Sequence, residues 1–386
     1  MDGSVSARER HDEGRDATAE RRVRIELARR DDEPELRRLL RENRMRGEIT
    51  VSLEREPDYF LAAGIEGPRH HSIVARDTAT GRLVGVGSRS VRPSFVDGQT
   101  VMLPYLGSLR VDGNRRGRGR LLSGGYEVCR SLRRPDETPY AITSIIADNR
   151  PARRLLEAGL PRLPRYDPID SFSTVVIPTR GSRRRPRPSA DRGADEDLEG
   201  IAERLQEDHR RRQFAPRWTT EDLRSNERTP GLEPHDFHIV RRGGEIAACL
   251  AVWDQRSFKQ AVVREYGKRL RRARPWLNLL ERWLGVPRLP APGHRLECAF
   301  ISHVAAGDDP DLLVALVESA RRDAAHRGCD SVIVGFSQRS PMLGPLLREF
   351  RHRVYRSVVY LVHWDDVEGG PRPLSGRAAH LEVATL

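Results

Sequence analysis

The sequence predicts an α/β fold, a mixed central sheet flanked by helices, and three observations carry that prediction. Runs with strand-like alternation and runs with helix-like apolar spacing take turns along the 386 residues. A glycine- and arginine-rich loop, Val111 to Leu122, is wedged between the apolar run Met102 to Val111 and a run in which Leu121, Leu122, Tyr126, Val128 and Leu132 recur at near-helical spacing. The same order of elements then returns after residue 193, without obvious sequence repetition.

In the first half, residues 1–21 are too polar to fold alone and are expected to be disordered. Val23, Ile25 and Leu27 alternate as a strand, and Asp31 or Asp32 can cap a helix beginning near Pro34 that carries Leu36, Leu39 and Leu40 on one side. Ser72 to Arg76 and Leu83 to Ser88 flank a hairpin turn with Gly81 at its tip. The strand ending at Val111, the helix beyond Gly119, the strand Ala141 to Ala147, a short helix from Pro151 to Ala158 closed by Gly159, and the strand Ser173 to Ile177 follow.

The segment 179–193 is a linker by its proline and arginine content. Beyond it lie a helix from Leu198 to about Gln213, a hairpin across Gly243 and Gly244, the strand His294 to Val304, the helix Pro310 to Arg327, the strand Ser331 to Phe336, the helix Pro341 to Phe350 and the strand Arg353 to Trp364. Between hairpin and strand, apolar residues at 262, 263, 266, 270, 273, 276, 277, 280, 283 and 284 predict two inserted basic amphipathic helices within 262–285, with Pro275 starting the second. They can pack on their own sheet or serve as a lid or docking surface for an acidic partner. Residues 366–386 read as a C-terminal tail.

The formal charge of +12 rests almost wholly on arginine, with lysine only at Lys259 and Lys268. The excess concentrates in Arg180 to Arg192 and Arg264 to Arg288; neither run interleaves aromatics in the manner of a nucleic-acid surface, and no groove-reading motif is present. Cys129, Cys249, Cys298 and Cys329 are far apart, with no metal-ligand or redox spacing, so no metal is expected and a reducing, cytoplasmic setting is. No apolar stretch approaches the ~20 residues of a membrane span.

A strand, a glycine turn and a helix start bring backbone N–H groups and the positive helix end to one spot, which suits a phosphate. Here Val111-Asp112-Gly113 leads to Arg116-Gly117-Arg118-Gly119-Arg120-Leu121, and about forty residues on Ala147-Asp148-Asn149-Arg150-Pro151-Ala152 runs to Leu155-Leu156 and Gly159. This motif pair resembles the GNAT superfamily of acyl-CoA-dependent N-acyltransferases over Val23 to Pro178. The resemblance implies a GNAT-like domain at 22–178 and, by element order alone, a degenerate second copy at 194–365. It also implies acetyl-CoA as co-substrate. The backbone of Arg116, Gly117, Arg118, Gly119, Arg120 and Leu121 would hold the pyrophosphate, Leu109 and Val111 would pair with the pantetheine arm as an added strand, and Asn149 would bond the same arm. An alternative register aligns Asn114, Gly117 and Gly119. Asn149 can also serve simply as the cap of the helix after it.

Two positions depart from the family pattern. Leu121 stands where Gly or Ala is usual, and Leu156 where many members place a tyrosine that protonates the leaving thiolate. No general acid or base is therefore assigned; Tyr105 and Tyr166 read as packed aromatics. In the second half, the turn Ala305 to Pro310 carries Asp308 and Asp309 where phosphates would sit, which predicts that this half binds no CoA. The expected activity is transfer of an acetyl or other acyl group from CoA to an amine of a small-molecule or protein acceptor; the alternative is a module that senses acyl-CoA or docks a partner without catalysis.

Overall fold

The computed structural model describes residues 23–45, 47–112, 118–180, 190–280, 288–365 and 373–386. The expected disordered N-terminus and most of the linker, 181–189, lie outside the described residues.

The first half opens with β1 (Val23–Leu27) and α1 (Glu33–Glu42). Pro34 occupies the first turn of α1, and Leu36, Leu39 and Leu40 are buried at its contact with the sheet. β2 (Ile49–Glu54), β3 (Arg69–Asp77), β4 (Leu83–Val96) and β5 (Gln99–Val111) follow; β1 pairs with β3, β3 with β4 and β4 with β5, all antiparallel. The turn between β3 and β4 needs Gly81, whose φ is 71°. α2 (Arg118–Ser131), β6 (Tyr140–Ile146), α3 (Arg150–Glu157) and β7 (Arg165–Pro178) complete this half.

The second half comprises β8 (Asp191–Arg192), α4 (Leu198–His209), α5 (Thr220–Arg224), β9 (Phe237–Arg242), β10 (Glu245–Trp253), β11 (Gln260–Tyr266), α6 (Lys268–Leu279), β12 (Cys298–Ala305), α7 (Pro310–His326), β13 (Ser331–Ser337), α8 (Leu343–Glu349) and β14 (Arg353–His363). Twelve strands form one mixed sheet in the order β1-β3-β4-β5-β6-β14-β7-β13-β12-β10-β9-β8.

That order exchanges the last strand of each half. β14 inserts between β6 and β7, pairing antiparallel with both, while β7 pairs with β13 of the second half. Val359, Tyr360, Leu361 and Val362 in β14 are all buried, so neither face of this strand can be left to water. A second link joins the halves: β2 pairs antiparallel with β11 in a separate two-stranded sheet.

Two expectations need correction. Residues 262–266, assigned above to an amphipathic helix, belong to β11, and one helix, α6, runs through Pro275 instead of restarting there. Val262, Val263 and Tyr266 are buried in the strand; their spacing to Leu270 imitates a helical period, but β-branched neighbours and the partner strand β2 decide the conformation. The rest of that segment, 281–287, lies outside the described residues. The second correction concerns residues 373–386, which are packed between the halves instead of trailing as a tail. Ala379, Leu381 and Ala384 are buried, His380 N donates to Gln213 O at 2.8 Å, and the Gln255 amide donates to Ala384 O at 3.0 Å.

A polar cluster fixes this segment. Glu382 accepts from the backbone N–H of His303 at 2.8 Å, and Arg92 donates to the hydroxyl of Thr385. The His209 and His380 rings lie 4.7 Å apart, and His303 lies 4.4 Å from Trp218. Burial pushes the Glu382 carboxyl up to about 7 and the His303 imidazole down to about 3, and holds His209 and His380 below their ordinary value as well.

Two outcomes follow from this packing. A methyl group on Gly335 would collide with the Val383 side chain and the Phe172 ring, so Gly335→Ala should cost about 1–3 kcal/mol in chemical denaturation; an unchanged midpoint contradicts the packing of Val383. Stability should also fall on acidification. The imidazoles of His209, His303 and His380 have lowered folded values, so their contribution is present above the unfolded value of 6.5 and is lost as the pH drops below it. Glu382 has a raised value, so its contribution is full below 4.5 and is lost as the pH rises through about 7. Three imidazoles with lowered values are opposed by one carboxyl with a raised one, so the balance is proton uptake on unfolding and a loss of stability as the pH falls below 6.5. A flat denaturation profile across this window would contradict the burial of the cluster.

Candidate functional site

The site begins where β5 and β6 separate. These parallel strands share a single register pair, Tyr105 with Ile142, so beyond Tyr105 the edge of β5 that faces away from β4 has no strand partner among the described residues. The separation is marked by a bulge: the β4–β5 register shifts between Val86 and Ser88, and Ser108 adopts φ 52°. Two side chains of β6 span the opening. Thr143 Oγ1 donates to Leu106 O at 2.6 Å, and the Ser144 and Tyr105 hydroxyls hydrogen-bond at 2.9 Å.

A cavity of about 1690 Å³ surrounds this opening and extends into the second half. α2 supplies one wall, a stripe of Leu121, Leu122, Gly125, Tyr126 and Cys129 at helical spacing. Ile49, Val51 and Leu53 of β2 and Leu270 and Leu277 of α6 line it elsewhere, and Phe172, Val176, Phe300 and Ile333 lie on its sheet side. The lining is mostly apolar, with a polar sector formed by Arg55, Gln255, Lys259 and Gln260.

Of the residues assigned to CoA from the sequence, Leu109, Val111, Leu121 and Asn149 line this cavity. Gly119 and Arg120 lie in the first turn of α2 and are exposed; that turn contains no acidic residue, and a Cβ on Gly119 would meet nothing within 4 Å. Arg116 and Gly117 lie outside the described residues, as does the side chain of Arg118. Asn149 is the N-cap of α3, its side chain accepting from Ala152 N at 3.4 Å, and it borders the cavity as well. The two motifs, distant in sequence, thus meet at one end of one cavity.

The tyrosines there are engaged. Tyr126 and Tyr166 share a hydrogen bond between their hydroxyls, Tyr360 donates to Glu157, and burial raises all three phenols, Tyr360 to about 12. Leu156 is buried among them. In the second half the acidic turn is internally satisfied: Asp309 caps α7 by accepting from Asp311 N and Leu312 N, Asp308 pairs with Arg212 at 2.9 Å, and Asp309 pairs with Arg242 at 3.1 Å. Among the described residues no group of histidine, cysteine, aspartate or glutamate could hold a metal ion.

Sequence reasoning missed the polar sector. Lys259 Nζ donates to Ala384 O at 3.2 Å and to Leu386 O, and sits 5.2 Å from the Phe300 ring; burial pushes the amine down to about 8. It thereby ties the packed segment 383–386 to the cavity wall, where Val383 and Leu386 contribute to the lining. The available signal was its identity: one of two lysines in a chain that otherwise uses arginine. β2 was not anticipated at all, and with it the wall it forms with β11.

The chain matches no protein-family model and no curated protein sequence. It is similar in structure to N-myristoyltransferase of Saccharomyces cerevisiae with bound myristoyl-CoA, at 15% identity and a TM-score of 0.59 over 88% of this chain and 79% of that one. A second structure of that enzyme, with myristoyl-CoA and inhibitors, aligns at 13% identity and a TM-score of 0.58 over 93% of this chain and 86% of that one. The chain therefore shares the overall fold of these structures, in a two-half arrangement.

The open face of Gly125 gives a test of the cavity that leaves the fold intact. A Cβ there meets nothing within 4 Å, and a helix interior favours leucine over glycine by about 1 kcal/mol. Gly125→Leu should therefore unfold at the same or a higher denaturant concentration while weakening the binding of an apolar fluorescent dye; destabilisation would mean that the space beside Gly125 is filled.

Proposed function

We propose that the protein is an acyl-CoA-dependent N-acyltransferase. The observation that carries the reading is the convergence of the strand–loop–helix motif and the Asn149 motif on one end of a cavity that opens where β5 and β6 part. In support, the α2 N-terminus offers backbone N–H groups and a positive dipole end with no acid in its first turn, which suits the pyrophosphate of CoA. The main-chain groups of β5 beyond Tyr105 that face away from β4 are placed to pair with an extended pantetheine arm and to polarise a thioester carbonyl.

The chemistry needs little more from the chain. The acceptor amine, in its neutral form, adds to the thioester carbon, and main-chain N–H groups hold the oxyanion; on collapse the C–S bonding pair leaves on sulfur, and the proton lost from nitrogen is taken up by the thiolate, giving amide and free thiol. Holding both substrates in a water-poor channel supplies the larger part of the acceleration. With Leu156 in place of a phenol and the neighbouring tyrosines engaged, the reading assigns no side-chain acid to the thiolate.

The donor is proposed to carry a long acyl group in preference to acetyl. The cavity exceeds the roughly 300–1,000 Å³ typical of a single small-molecule site, and the α2 stripe beside the opening is apolar. The structurally similar yeast enzyme was solved with myristoyl-CoA, which agrees with this preference. The polar sector at Gln255, Lys259 and Gln260 is proposed to receive the acceptor.

A thiol-release assay with acetyl-, octanoyl- and myristoyl-CoA against a panel of amines tests the reading. Turnover should rise with chain length, and Gly125→Leu should lower kcat/KM for the longest donor by about tenfold or more while sparing acetyl-CoA. Binding of acyl-CoA without turnover would favour a sensing module, and no binding by either the wild-type or the Gly119→Trp protein would refute the CoA reading.

A further inference from the structure

The helix α6 does not pack as the rest of this arginine-rich surface does. Its inner face, Leu270, Ala273, Arg274, Leu277 and Asn278, is half-buried, and it is pinned to the chain beyond it. Arg274 Nε and Asn278 Nδ2 each donate to Leu289 O at 2.9 Å, and Leu289 N donates to Asn278 Oδ1 at 2.9 Å. The outer face carries Lys268, Arg269, Arg272, Trp276, Leu279 and Leu280, all exposed; Trp276 and Leu279 are each 69% exposed.

Among the described residues no counter-ion lies at ion-pair distance from the charges on that face. α6 contains no acidic residue, and no carboxylate among the described residues pairs with Lys268, Arg269, Arg271 or Arg272. On α1 the contrast is plain: Arg37 pairs with Glu33 and Glu56, Arg38 with Glu35 and Glu42, and Arg41 with Glu54 and Glu56. A solvated helix needs neither a run of cations without carboxylate partners nor an exposed tryptophan one turn beyond them.

Cations at Lys268, Arg269 and Arg272 continued along the same face by exposed Trp276, Leu279 and Leu280 match the boundary between lipid headgroups and acyl chains. Arginine and lysine reach phosphates with their charged ends while their stems lie along apolar surface, and indole prefers that depth. We propose that α6 docks the protein on the surface of an anionic phospholipid bilayer. The helix lies in the interface and does not cross it; among the described residues no helix is long and apolar enough to span a membrane. Because Leu270 and Leu277 on the opposite face line the cavity, docking places the cavity wall next to the lipid surface. The inference stands on the helix surface and does not require the acyltransferase reading.

Co-sedimentation of the full chain with phosphatidylcholine vesicles, with and without phosphatidylglycerol, tests it. The wild-type protein should partition onto the anionic vesicles about tenfold more strongly than onto the neutral ones, and Arg269→Glu/Arg272→Glu should remove about tenfold of that affinity. Trp276→Ser/Leu279→Ser should also lose binding, and the quenching of tryptophan emission by brominated lipid should fall with Trp276→Phe. No residue of α6 is buried, so these variants should unfold at the wild-type temperature. Equal partition onto both vesicle types, or binding that either double variant retains, overturns the proposal. Charge-dependent binding that survives loss of Trp276 and Leu279 does so in favour of an acidic soluble partner.

Discussion

The parting of β5 and β6 after the Tyr105–Ile142 pair is the constraint on which the rest of the site depends. A closed ladder there would use up the main-chain groups of β5 and leave no channel between the motif at the start of α2 and the motif at the cap of α3. The bulge at Ser108 turns β5 away from its neighbour, and the Thr143–Leu106 hydrogen bond satisfies a carbonyl that the opening would otherwise leave unpaired. The opening is thus built into the backbone.

The exchange of β7 and β14 gives that opening its depth. Because each half lends its last strand to the other, the sheet continues past β6 without an edge, and residues that line the cavity come from strands as far apart as β3 and β13. The packed segment 373–386 closes the seam on polar contacts, Glu382 to the His303 N–H and Lys259 to the carbonyls of Ala384 and Leu386. Burying such groups is costly unless each finds a partner, so this seam holds one arrangement of the halves.

Much of the architecture was legible because local pattern and tertiary context agree. The strand and helix around Val111 to Leu122, the cap at Asn149 and the hairpin at Gly81 each follow from residue type and spacing, and so does the order of elements apart from β2 and β11. Where the reading failed, a long-range partner decided. Val262, Val263 and Tyr266 fit a helical period, yet β2, more than two hundred residues earlier in the chain, pairs with them. The sequence 373–386 is short and lacks a period, and its burial depends on Gln213, Gln255 and Gly335, none of which is near it in sequence. At the site, the cofactor motifs were readable and the polar sector was not, because Lys259 becomes notable only once Gln255, Gln260 and the chain terminus of the described residues gather round it.

In the proposed function one cavity receives the pyrophosphate at the start of α2 and the acyl chain along its Leu121–Gly125–Cys129 stripe. A crystal structure of the protein soaked with a non-hydrolysable long-chain acyl-CoA analogue tests it most directly. The account predicts phosphate density at the first turn of α2, the pantetheine arm along β5 beyond Tyr105, and the chain against Gly125. Density for the nucleotide at the Asp308–Asp309 turn, or an acyl chain outside this cavity, would contradict it.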